Sequence, residues 1–181
     1  CLNLNTELIT YLTGLNEAYT RDRTPATDRS ALHVFCLQHP DDRYLPALEA
    51  LLQAAPEMAS RGDSLRGLTP LHLLFTNVRK KPISLPIVEA LIDASTASAK
   101  VADHDECLPI HLACQVGADP AIVKCLLLAY PEGAAAVTHK NDTALSIACM
   151  NNTSAETVGE LVRLNPAAAK VANTYGFLPL H

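Results

Sequence analysis

Cys107, His111, Cys114 and Cys125 place four groups that ligate zinc in one short stretch of the chain. Zinc is held by thiolates and imidazoles in a tetrahedral set. On a helix, His111 and Cys114 would lie about one turn apart and could share an ion. Histidine also recurs elsewhere, at His33, His72 and His181. An imidazole is the most frequent general acid or base in enzymes. Spacing decides whether these residues serve chemistry or architecture.

His72 closes the run Thr69, Pro70, Leu71, His72. Four other stretches echo it: SALHVFC at Ser30 to Cys36, LPIHLAC at Leu108 to Cys114, TALSIAC at Thr143 to Cys149, and LPLH at Leu178 to His181. Their fourth positions are His33, His72, His111, Ser146 and His181, which follow one another at steps of 39, 39, 35 and 35 residues. A catalytic site needs one such histidine, not a copy in every unit, so the column reads as structural. The thiols follow the same logic. Three residues after the motif position stand Cys36, Phe75, Cys114 and Cys149. A position shared by Cys and Phe is a core slot rather than a ligand. No metal or other cofactor is expected, and no residue is assigned a catalytic role.

The elements that carry the motif follow from the apolar pattern. LEALL (Leu48 to Leu52), VEALI (Val88 to Ile92), VKCLL (Val123 to Leu127) and VGELV (Val158 to Val162) share apolar residues at i, i+3 and i+4. That spacing is one face of an α-helix. A third column is Ala59, Ala99, Ala134 and Ala169, and Pro56, Pro131 and Pro166 stop three of the helices. Each unit therefore reads as helix A, loop, helix B and a long connection to the next helix A. Thr69 fits the N-cap of helix A. Pro70 fits the first helical position, where its missing N–H costs nothing. His72 falls at the third, from which a side chain reaches back to the cap.

With its TPLH-like signature in five registers and its helix pairs, the chain resembles the ankyrin repeat. The resemblance covers Ser30 to His181, with units starting near residues 30, 69, 108, 143 and 178. Residues 1–29 read as an N-terminal helix, Thr6 to Thr20, of a worn partial unit. The resemblance implies an all-α solenoid whose helix pairs are joined by long hairpin-like connections. Three departures are present. The period exceeds the usual ~33 residues, Leu108 and Leu178 stand where Thr caps the helix, and Ser146 replaces a His.

The resemblance also implies which residues face a binding groove. From the turns before each motif these are Leu65, Arg66 and Leu68; His104, Asp105 and Cys107; His139, Lys140 and Asp142; and Thr174, Tyr175 and Phe177. From the ends of the A helices they are Leu37 and Gln38, Thr76 and Asn77, Gln115 and Val116, and Met150 and Asn151. Exposed aromatics and arginine dominate protein interfaces, so Tyr175, Phe177 and Arg66 lead.

The bulk numbers agree with such an array and narrow its partners. The chain has 181 residues, 49% of them hydrophobic and 18% charged, which is enough apolar matter for a core. Aromatics are 4% with no Trp, so Ala and Leu carry that core. The net charge of −5, with no basic stripe, argues against nucleic acid as the partner. No window reaches eighteen apolar residues, so no membrane insertion is expected. The six scattered Cys suit reduced thiols in an intracellular protein, with the cytoplasm first and nucleus or organelle open. The chain begins at Cys1 and stops inside a motif, and both native ends are expected to be missing. The basic run Val78 to Pro82 and the lone histidines His39, His104 and His139 read as solvated. The sequence has no phosphate-cradling glycine loop, nucleophile elbow or paired catalytic carboxylates. The expected role is a non-catalytic scaffold or adaptor for a protein partner. A structural subunit of a large assembly, or the partner-binding domain of a longer enzyme or channel, stays open.

Overall fold

A computed structural model of the chain describes residues 28–38, 40–76 and 82–179. The expected N-terminal helix, Cys1, His39, Asn77, the basic residues 79–81 and His181 lie outside the described residues.

The described residues form α1 (Ala31–Leu37), α2 (Leu45–Ala54), α3 (Pro70–Leu74), α4 (Leu85–Ala94), α5 (Pro109–Gln115), α6 (Pro120–Ala129), α7 (Ala144–Met150) and α8 (Ala155–Leu164). A short 3₁₀ turn follows each of α2, α4, α6 and α8, at Pro56–Ser60, Thr96–Ala99, Pro131–Ala134 and Pro166–Lys170. The fold is all-α. Among the described residues the only extended pairing is one antiparallel bridge between Val137 and Thr143.

The short helices start where the motif predicts. The Thr69 side chain accepts the His72 N–H, and Pro70 is the first residue of α3. Thr143 accepts the Ser146 N–H in the same way. Leu108 caps α5 without a side-chain bond. The long helices α4, α6 and α8 are capped by Ser84, Asp119 and Ser154, each accepting a backbone N–H of the first turn, while Tyr44 before α2 makes no side-chain cap. A proline stands in the first turn of α2, α4 and α6.

Two rows of helices result. The odd helices pack in sequence, α1 on α3, α3 on α5 and α5 on α7, and the even helices do the same from α2 to α8. The core lies between the rows. Leu48, Val88, Leu91, Val123 and Leu126 are buried at the predicted face of the even helices. Burying a leucine side chain stabilises by about 1.5–3 kcal/mol, so this column carries much of the fold. One position departs from it. Val162 on α8 is 37% exposed, while Leu161 beside it is buried. The described partners of α8 are α6, α7 and two 3₁₀ turns, and they leave that face open. The small-residue column also shifts at its end. Ala59, Ala99 and Ala134 are buried, but in the last unit Ala168 takes the fully buried place and Ala169 is half-buried.

Candidate functional site

Two of the motif histidines, His72 and His111, are cross-ties between successive units. His72 Nδ1 accepts the Thr69 backbone N–H at 3.2 Å, and Nε2 lies 2.9 Å from the Cys107 carbonyl. An Nδ1 that accepts leaves the proton on Nε2, which therefore donates to Cys107. His111 repeats this, taking the Leu108 N–H at 3.0 Å and reaching the Ala136 carbonyl at 3.2 Å. His33 takes the Ser30 N–H at 3.1 Å. Its buried Nε2 faces the carbonyls of Arg61 and Leu68 without completing a bond. Ser146 is too short for the span and turns back to the Thr143 carbonyl at 2.8 Å. Burial lowers the pKa of all three imidazoles, despite the carbonyls that favour their charged form. All three rings are buried with their neutral form favoured, and His72 and His111 tie successive units.

The thiols are packed to different degrees: Cys107, Cys125 and Cys149 are half-buried, which corrects the core-slot reading at Cys149. Cys36 and Cys114 are fully buried, and Phe75 fills the same slot. Burial pushes the Cys114 thiol up to about 12. Cys107 is pushed up to about 11, first by burial and then by the charges of Asp103 and Asp105. A thiol held protonated is a poor nucleophile. Among the described residues no three His, Cys, Asp or Glu side chains converge on a metal position.

Most of the groove residues read from the sequence lie on the turns between units. Each turn is organised by one side chain at its base. Asp63 Oδ1 accepts the N–H of Arg66 at 2.9 Å and of Leu68 at 3.2 Å. Asp103 Oδ1 accepts from Asp105 at 2.9 Å and Cys107 at 2.8 Å. Thr138 Oγ1 accepts from Lys140 and Asp142, both at 3.3 Å. Asn173 Oδ1 accepts from Tyr175 and Phe177, both at 3.0 Å. Backbone bonds close the same turns, from Asp63 N to Leu68 O and from Asn173 N to Phe177 O, each at 3.0 Å. One residue of each turn is left-handed: Gly67 (φ 71°), Glu106 (φ 59°), Asn141 (φ 59°) and Gly176 (φ 78°). A side chain at Gly67 would meet the His104 ring at 2.9 Å.

Successive turns are stitched together. His104 N donates to Arg66 O at 2.8 Å, His139 N to Asp105 O at 3.1 Å, and Thr174 N to Lys140 O at 2.9 Å. Arg66 pairs with Asp105 at 3.1 Å, and Asn173 Nδ2 donates to Asp142 Oδ1 at 3.0 Å. The turns therefore form one row rather than independent loops.

The groove residues read from the sequence differ in exposure and contacts. Leu65, Lys140, Thr174, Tyr175 and Phe177 are exposed, with Tyr175 at 70% and Phe177 at 58%. From the helix ends, Gln115, Met150 and Asn151 are exposed too. Arg66, His104, Asp105, His139 and Asp142 take part in turn-to-turn contacts, and Cys107, Leu37, Thr76 and Val116 are half-buried. Leu68 is a correction. It is only 4% exposed and packs into the hydrophobic core, whereas Phe177 at the same place before Leu178 is 58% exposed. It is not available to a partner.

The base column of Asp63, Asp103, Thr138 and Asn173 was not anticipated. Its signal was present: short polar side chains stand four residues after each column alanine, and such side chains cap their own turns.

Neither the family models nor the curated proteins compared with this chain give a match.

Proposed function

We propose that the chain is an ankyrin-repeat solenoid acting as a non-catalytic scaffold or adaptor, and that it holds a partner protein on the row of turns and the neighbouring ends of the odd helices. The repeated unit supports the fold reading, with motif histidine, helix pair and polar-based turn recurring in register. One observation carries the functional reading. Tyr175 and Phe177 stand 70% and 58% exposed on a turn whose backbone Asn173 already fixes. Exposed aromatics on a rigid support are what interfaces use as anchors. A pinned turn also loses little freedom on binding, so less of the contact energy goes into ordering it. Leu65, on the Asp63–Leu68 turn, and Met150, at the end of α7, are further exposed apolar residues, at 56% and 58%.

Cross-linking capture by a Tyr175→Ala, Phe177→Ala double variant tests this reading. Loss of the partner captured by the unaltered chain, with an unchanged melting curve, is the expected outcome. A lower melting temperature with the partner retained would make both residues core and move the binding surface elsewhere.

A further inference from the structure

The even helices carry a second surface, separate from the turns. Between α2 and α4 lies an open groove of about 480 Å³. Leu45, Leu52, Pro86 and Ala90 give it apolar walls, while Glu49, Glu89 and Asp93 line it with carboxylates. All three acids are exposed, and none forms an ion pair or hydrogen bond among the described residues. Glu49 and Glu89 occupy the same place in successive helices, and Asp93 lies one turn beyond Glu89. The next even helix breaks the pattern with Lys124 and Leu128 at those places. The acidic character is thus confined to the α2–α4 groove. Its field extends to the edge of α6, where Cys125 is raised first by burial and then by the charges of Glu89 and Asp93.

We propose that this groove docks a basic amphipathic helix of a partner protein, with its apolar face between α2 and α4 and its Lys or Arg against Glu49, Glu89 and Asp93. The walls select a helix. They are themselves helical, so they offer no open strand edge on which an extended peptide could pair its backbone. The charge selects a basic segment. Unpaired carboxylates beside apolar surface attract cations and disfavour acidic competitors. The same charge disfavours anionic lipid and nucleic-acid phosphates as occupants.

Fluorescence anisotropy on the purified chain tests the proposal with a labelled helical peptide bearing a Leu face flanked by Lys. Two control peptides carry Glu in place of Lys, or Ser in place of Leu. The Leu/Lys probe is expected to bind at least about tenfold more tightly than either control. Charge reversal at Glu89→Lys and Asp93→Lys is expected to weaken it by about tenfold, as is filling the groove by Ala94→Phe. Circular dichroism melting checks that each variant stays folded. The Tyr175→Ala, Phe177→Ala variant should bind the probe normally, which separates this site from the turns. Equal binding of either control peptide, or no effect of charge reversal, would overturn the proposal. So would sedimentation showing that a second copy of the chain fills the groove.

Discussion

His72 makes its bonds in two directions, back to Thr69 and across to Cys107. The first bond holds the start of its own helix and the second holds the next turn. These two bonds give the histidine at this position a structural role. A Thr69→Ala change removes both the cap acceptor for the His72 N–H and the hydroxyl 2.7 Å from its ring. The expected loss is about 1–2 kcal/mol, read from urea unfolding; an unchanged midpoint would mean that Thr69 does not cap. A second residue is strained rather than tied. Glu106 holds φ 59°, in the place that Gly67 and Gly176 fill elsewhere. The left-handed region costs a residue with a Cβ about 1 kcal/mol that glycine avoids. Glu106→Gly is therefore expected to stabilise by up to about 1 kcal/mol, and a clear drop in urea midpoint would refute the strain.

At the level of elements, helices such as α4 and α6 were legible because each is written twice, once in its apolar period and once in its cap. Leu91 and Leu126 fall at the same place in α4 and α6, and both are buried. Truncating either to Ala should cost ~2–5 kcal/mol, the range for a cavity in a packed core. A change within about 0.5 kcal/mol, typical of a surface position, would contradict the alignment of α4 with α6. The turns were less legible. Their place in the chain followed from the repeat, but their shape rests on Asp63, Asp103, Thr138 and Asn173. These four residues differ in type and share only a short side chain that accepts hydrogen bonds. Leu68 was misplaced for a related reason. Position in a turn suggested exposure, while Leu68 packs into the core and Phe177, at the same place before Leu178, stays exposed. The α2–α4 groove left no periodic signal. It depends on the small Ala90 and Ala94 facing α2, a relation between units that a single repeat does not display.

Across the whole molecule, the buried histidines make stability depend on pH in a direction that can be worked out. His33, His72 and His111 have pKa values lowered by burial from the ordinary 6.5. Above pH 6.5 folded and unfolded chains both hold these rings neutral, and the three contribute no pH dependence. Below it the unfolded chain binds protons that the folded chain refuses. Each ring would have to accept its proton at Nδ1, where the backbone N–H of Ser30, Thr69 or Leu108 already donates. Stability should therefore be level from pH 8 to 7 and fall as pH drops below 6.5. The slope approaches about 1.4 kcal/mol per pH unit for each histidine still neutral in the fold. Asp63 acts in a lower window. Its burial opposes ionisation, but the N–H groups of Arg66 and Leu68 and the Arg29 guanidinium outweigh it and hold its pKa below 3.8. Its share of stability is lost only in stronger acid, as pH falls below 3.8. Urea unfolding at pH 8, 7, 6 and 5 reads the histidine window by itself. A His72→Gln variant, which keeps an acceptor and a donor but no titratable ring, should show a shallower decline between pH 6.5 and 5. Stability that rises on acidification, or a His72→Gln profile as steep as that of the unaltered chain, would show that these rings are not the neutral ties between units.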